Sequence, residues 1–237
     1  MSRNRFEAIH RYIHLNDNSS VDPNDRVYKI RPLIQHLNNI FQKYGEPLAK
    51  WFSLDAAIEP YYGHHSMKQF IRGKPIRYGY KFWCLSTSTG YLLKCFPYTG
   101  AGESKESKRL GSSVTEKLCL GYLPNNSVIF IANYFNSLPL LEILKKNNTT
   151  YIGTIRADRI APLKDLKKET RGTYYVLEDK KSGITLTRWH DNCQVTMATN
   201  MNDPSITSTK GTSRRWSRNE KGTITVEQPT MVGTGMG

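Results

Sequence analysis

The chain has 237 residues, 38% of them hydrophobic and 23% charged, enough apolar material for a packed core and too much for a disordered chain. No apolar run approaches the roughly 18–20 residues of a membrane span, and the opening stretch MSRNRFEAIHRY lacks the apolar region of a secretory signal. Lys and Arg number 34 against 20 Asp and Glu, a net charge of +14, which favours polyanionic partners, nucleic acid before an anionic membrane surface. Cys84, Cys95, Cys119 and Cys193 include no Cys-x-x-Cys pair. That spacing excludes a zinc ribbon and a disulfide scaffold, and the four are expected to be buried, reduced thiols of an intracellular protein.

Phe6, Ile9 and Ile13 lie at helical spacing, so residues 5–15 are predicted as an amphipathic helix. Residues 16–25 are polar and contain Pro23, which predicts a loop. A second helical period runs from Ile30 to Tyr44. Pro32 fits only its first turn, so the helix is expected to start at Ile30 or Arg31, and Gly45 and Pro47 end it. The pattern then changes. Residues 51–56 read as a short apolar strand ending around Asp55. Residues 79–86 and 91–97 read as a hairpin over the turn 87–90. Residues 113–120 are predicted as a Ser-capped helix, 127–131 as a buried strand, 137–146 as a helix with Ser137 as N-cap and Pro139 in its first turn, and 151–155 as another strand. The order is β-β-β-α-β-α-β. Further on, 164–171 is a charged, solvated segment; 173–178, 185–190 and 195–199 are strands; and everything from Asn200 is expected to be loop.

The charge is unevenly placed. From Pro60 to Gly102 there is no acidic residue, while six basic and ten aromatic side chains occur. Cations neutralise phosphates and aromatic rings stack on bases. Lys68, Arg72, Lys74, Arg77 and Lys81 are therefore the candidate DNA-binding residues, and about half of the aromatics are expected to be strand core.

Three antiparallel strands followed by α-β-α-β is the order of the ribonuclease-H-like fold, an α/β mixed sheet flanked by helices. Several motifs in this order carry a more specific resemblance. They are Ser53-Leu54-Asp55 with Pro60, Tyr61 and Gly63; Arg72-Gly73-Lys74-Pro75 with Tyr78-Gly79-Tyr80-Lys81; Pro97-Tyr98-Thr99-Gly100; Asn133-Tyr134-Phe135 with Ser137-Leu138-Pro139-Leu140; Gly153-Thr154-Ile155-Arg156; and Trp189-His190-Asp191-Asn192. Together they resemble the piggyBac transposases and piggyBac transposable element-derived proteins. The resemblance implies a DDE-type site, in which three acidic residues hold two Mg²⁺ ions for DNA strand transfer. It also implies double-stranded DNA as partner, a possible homodimer, a nuclear location and no membrane association.

The departures from that pattern bear on function. Asp55 stands at the first acidic position, but Ala56 replaces the usual Glu beside it, Glu59 occupies an aliphatic position and His64 an Arg position. Ala132 stands where the second catalytic Asp is expected. The third acid is expected just beyond Gly235-Met236-Gly237. Asp55 is thus the sole surviving catalytic position, a weak metal ligand at best, and no cofactor is expected in this chain. Glu59, Asp191, His64 and His65 are poor substitutes. Residues 1–50 are expected to be a helical part of a dimerisation and DNA-binding region, 51–156 the ribonuclease-H-like domain, 157–232 a β-rich insertion, and 233–237 a truncated end. The implied function is a catalytically degenerate transposase domain that keeps DNA binding. Two alternatives stand beside it: a fragment of an active metal-dependent transposase, and an interaction module or gene remnant that binds no DNA.

Overall fold

The computed structural model describes residues 1–45, 49–100, 110–201, 210–217 and 222–229. They pack as two compact units, one of Met1–Ala49 with Asp55–Ser107, the other of Lys50–Leu54 with Lys108–Gly237. Strand β1 (Trp51–Pro60) contributes its first residues to the second unit and the rest to the first. Among the described residues nine strands form a mixed sheet and two more a separate hairpin, the α/β class expected from the element order.

In the first unit, helix α1 (Arg3–Tyr12) starts two residues earlier than its periodicity predicts, because the Ser2 side chain accepts the Arg5 N–H and caps it. Arg3 and Glu7 pair one turn apart at 2.8 Å. Helix α2 (Arg31–Tyr44) begins where Pro32 allows and stops before Gly45. The later half of β1, the two-residue β2 (Gln69–Phe70), β3 (Tyr78–Thr87) and β4 (Leu92–Pro97) complete the unit, with β2 and β4 both antiparallel to β3. β1 does not end at Asp55 as expected. It continues to Pro60, and the reason lies in its partner: a Cβ on Gly79 of β3 would lie 2.0 Å from the Glu59 carbonyl oxygen. Glycine lets the two backbones close at that point, and an unpromising run of Ile58, Glu59 and Pro60 is carried along as strand.

The second unit is built on parallel pairs. β5 (Ser127–Ile131) lies between the start of β1 and β6 (Thr149–Thr154). Helices α3 (Leu110–Cys119) and α4 (Leu138–Lys146) bury Leu118, Leu140, Leu141 and Leu144 with Ile129, Ile131 and Tyr151. The antiparallel β7 (Tyr174–Asp179), β8 (Ile184–His190) and β9 (Gln194–Thr199) extend the sheet from β6. The charged segment before β7 is exposed except for Leu166, which is buried, and Arg171, which is half-buried.

Three local expectations need correction. Ser137 precedes α4 as predicted, but makes no side-chain cap; its hydroxyl bonds the Ser112 hydroxyl at 2.9 Å, and Ser112 and Ser113 lie inside α3 rather than ahead of it. The region after Asn200 is not loop throughout. Asn200 is buried, with its Oδ1 accepting the Tyr151 N–H at 2.7 Å and its Nδ2 donating to the Leu141 and Thr149 carbonyls. β10 (Lys210–Ser217) and β11 (Gly222–Pro229) then form an antiparallel hairpin. The run Thr223-Ile224-Thr225-Val226 is the β-branched signal for it. Finally, the cysteines are not uniformly buried: Cys95 and Cys119 are, Cys84 is half-buried and Cys193 is exposed. The chain end at 233–237 lies outside the described residues.

Candidate functional site

The two motifs expected to converge sit on adjacent parallel strands. Trp51 to Leu54 pair in register with Val128 to Ile131. Side chains alternate along a strand: Phe52 and Leu54 are buried to one side, while Trp51 stacks on Phe130 at 5.7 Å on the other. Asp55 follows Leu54 along β1, Ala132 follows the last residue of β5, and both are exposed. One position holds a carboxylate and the other a methyl group. The only hydrogen bond described for the Asp55 carboxylate comes from the N–H of Ala56, at 2.7 Å.

The turn that follows β5 is held far more firmly than its sequence announces. Ala132 O accepts the Phe135 N–H at 3.2 Å, and Phe135 and Asn136 are buried. Asn136 Nδ2 donates to the Thr154 carbonyl at 2.9 Å. Arg159 Nη1 donates to the carbonyls of Asn133 at 2.9 Å and Tyr134 at 3.0 Å, and to that of Asn136. Two glycines make room: a Cβ on Gly111 would lie 2.5 Å from the Tyr134 oxygen, and one on Gly153 2.1 Å from the Ile131 oxygen. Neither Arg159 nor Asn136 was singled out by sequence. Their partners are backbone carbonyls, which every residue has, so no complementary side chain marks them.

The five basic candidates divide into two groups. Arg72, Lys74 and Arg77 are exposed, as expected for charges without buried partners. They project from the loop between β2 and β3, closed by Ile71 N–H to the Arg77 carbonyl at 2.9 Å and by the Phe70–Tyr78 ring contact at 5.0 Å. Gly73 takes φ +86° in this loop, with open space where a Cβ would be. Lys68 and Lys81 are engaged instead. Lys68 Nζ donates to the carbonyls of Tyr62 and Gly63. Lys81 Nζ lies 3.7 Å from the Trp83 ring centre. Burial lowers the Lys81 pKa to about 8, against the opposing pull of Asp55 and with a smaller push from Lys74.

Residues 1–233 match the family described as Transposase IS4. The chain belongs to that transposase family. Within it, the chain is 37% identical over 246 residues to human PiggyBac transposable element-derived protein 3 and covers 98% of itself and 40% of that relative. It is 38% identical over 242 residues to human PiggyBac transposable element-derived protein 2, covering 97% of itself and 40% of the relative. The chain thus spans about 40% of the length of these curated relatives. A solved piggyBac transposase synaptic complex with hairpin DNA superposes at a TM-score of 0.76 and 24% identity, over 86% of this chain and 44% of the other. The resemblance to piggyBac-derived proteins and the α/β fold are both as expected from the sequence.

Among the described residues, the donors do not supply the oxygen set that two Mg²⁺ ions take. Divalent Mg²⁺ needs a near-octahedral set of oxygens, and among the described residues no group of three or more His, Cys, Asp or Glu could hold a metal. Glu59 lies within β1, not past its end as expected, and shares a face with Asp55. Four residues of strand still separate them by about 13 Å. Asp191 is paired with Arg171, whose Nε donates to Oδ1 at 2.6 Å. His65 Nδ1 takes the Met67 N–H at 3.2 Å, and His64 is exposed in the same loop. Among the described residues no helix is long and apolar enough to cross a membrane.

Proposed function

We propose that this chain is a catalytically silent piggyBac-derived transposase domain that binds double-stranded DNA and acts in the nucleus. The observation that carries the first part is the methyl group of Ala132, the residue directly after β5, where the resemblance expects the second acid. A two-metal site depends on several carboxylates that offset the repulsion between cations and fix their geometry. A single exposed aspartate with one backbone hydrogen bond does neither.

DNA binding rests on the loop bearing Arg72, Lys74 and Arg77. Three cations on one exposed loop, in a chain with a net charge of +14, release counterions when they meet phosphates. The related solved transposase is held in a complex with hairpin DNA, which supports the same class of partner here. Lys81 is a weaker contributor, since its ammonium lies over an aromatic face.

The two parts are tested separately. The unmodified chain is assayed for hairpin formation and strand transfer with Mg²⁺ or Mn²⁺ on transposon-end DNA, and no product is expected. Metal-dependent product that disappears in Asp55→Ala would overturn the silent reading. Duplex binding is followed by fluorescence anisotropy across a salt series, and a steep fall in affinity with salt is expected. Binding that is undetectable at low salt sinks the DNA assignment and favours a protein-interaction role.

A further inference from the structure

Cys84 on β3 and Cys95 on β4 are directly opposite each other in the antiparallel register. An antiparallel ladder alternates between hydrogen-bonded and non-hydrogen-bonded pairs, and only the second kind brings side chains close. Two observations place Cys84–Cys95 in the second kind. The Tyr98 N–H donates to the Lys81 carbonyl at 2.8 Å, so Lys81–Tyr98 is a hydrogen-bonded pair, and three steps along the ladder the pair is of the other type. Independently, both backbone groups of Cys95 turn away from β3 to Asn38 of α2: its N–H donates to Asn38 Oδ1 at 2.8 Å and its carbonyl accepts from Asn38 Nδ2 at 3.0 Å. Opposed Cα atoms in such a pair are about 4.5 Å apart, inside the roughly 4.4–6.8 Å that a disulfide spans. Both thiols are free.

We propose that Cys84 and Cys95 form a cross-strand dithiol that oxidises to an intramolecular disulfide by exchange with a small-molecule disulfide such as oxidised glutathione. The half-buried Cys84 is the entry sulfur, because Cys95 is the more deeply covered of the two. Cys84 displaces one glutathione thiol and becomes a mixed disulfide. Cys95 then attacks the Cys84 sulfur and releases the second glutathione. Two thiols lose two protons and two electrons, and one oxidised glutathione becomes two reduced ones. The bond staples β3 to β4 in the hairpin that also carries Lys81. Burial raises both thiol pKa values, that of Cys84 to about 11, so the reaction is slow at neutral pH.

The test uses the full native chain with oxidised glutathione, followed by alkylation and tryptic mass spectrometry. Cleavage after Lys81 and Lys94 puts Cys84 in peptide 82–94 and Cys95 in peptide 95–105. The expected product is these two peptides joined, with a mass two hydrogens below their sum. At equilibrium the ratio of this linked product to the Cys84–glutathione adduct should be at least ~10-fold higher than in the same chain unfolded in urea, because the fold holds the sulfurs together. In Cys95→Ser the reaction should stop at a glutathione adduct on Cys84. A smaller native advantage, or a linked peptide that fails to appear while exposed Cys193 becomes glutathionylated, overturns the proposal.

Discussion

The turn after β5 and the loop between β2 and β3 are both short and both belong to the motifs that identify the family, yet they are built in opposite ways. Residues 132–136 are held by Arg159, by the Asn136 amide and by Gly111, which admits the Tyr134 oxygen. Residues 71–77 are closed by one backbone bond and expose three cations. In the first, side chains serve the fold. In the second, the fold asks almost nothing of the side chains, so their charge is left for a partner. Substitutions in the turn should therefore show in stability, and substitutions in the loop in binding.

The largest effect is expected at Arg159. Arg159→Ala strips a donor from three carbonyls, and unmet buried hydrogen-bond groups cost about 1–3 kcal/mol each when water cannot replace the partner. Some of these carbonyls reach solvent, so a loss of about 2–4 kcal/mol in urea unfolding is expected. A change below 0.5 kcal/mol, the range of ordinary surface substitutions, would show that the turn holds itself. Gly153→Ala follows at about 1–3 kcal/mol, the usual cost of forcing an atom into packed structure, here against the Ile131 oxygen.

The matching experiment on the loop is the triple change of Arg72, Lys74 and Arg77 to Ala. Stability should stay within about 0.5 kcal/mol. The slope of log affinity against log salt should flatten by up to about 2.7, at roughly 0.9 for each phosphate no longer neutralised. An unchanged slope assigns the loop to solubility.

Lys81 sharpens the contrast within the basic group, because pH separates it from its exposed neighbours. Its folded pKa of about 8 lies below the ordinary lysine value of 10.5. Between those values the unfolded chain binds more protons, so this residue's contribution to stability rises with pH across that window and is at its least below pH 8. Lys81→Met should remove that rise in a pH series of unfolding curves. The smallest effect is expected at Ala132→Asp. A carboxylate at the position proposed for the second acid should tighten Mn²⁺ binding by roughly tenfold, since added ligand charge raises divalent affinity; calorimetry showing no change would mean that positions 55 and 132 do not serve a common ion.

Much of this was legible in the residues. α2 and β5 were predicted to within a residue, because Pro32, Gly45 and the unbroken run Ser127 to Ile131 punctuate them locally. α1 was legible as an amphipathic helix, yet it buries none of its residues; periodicity marks an apolar face and says nothing of what covers it. The extent of β1, the role of Ser137 and the burial of Asn200 escaped the sequence for a common reason. Each depends on a partner distant in sequence: Gly79 for β1, Ser112 for Ser137, and Tyr151 and Leu141 for Asn200.

What the sequence by itself determined is the chemistry at each position: an acid at 55, a methyl at 132, cations at 72, 74 and 77, thiols at 84 and 95. Local periodicity and turn residues also set the order of helices and strands, because those forces act within a few residues of chain. Only the tertiary structure decided which of these groups are available. It tied Lys68 and Lys81 to carbonyls and rings while leaving Arg72, Lys74 and Arg77 exposed, hid Asn136 beneath a turn, and set Cys84 opposite Cys95. Strand register and burial join residues far apart in the chain, and no local preference of either residue encodes the meeting.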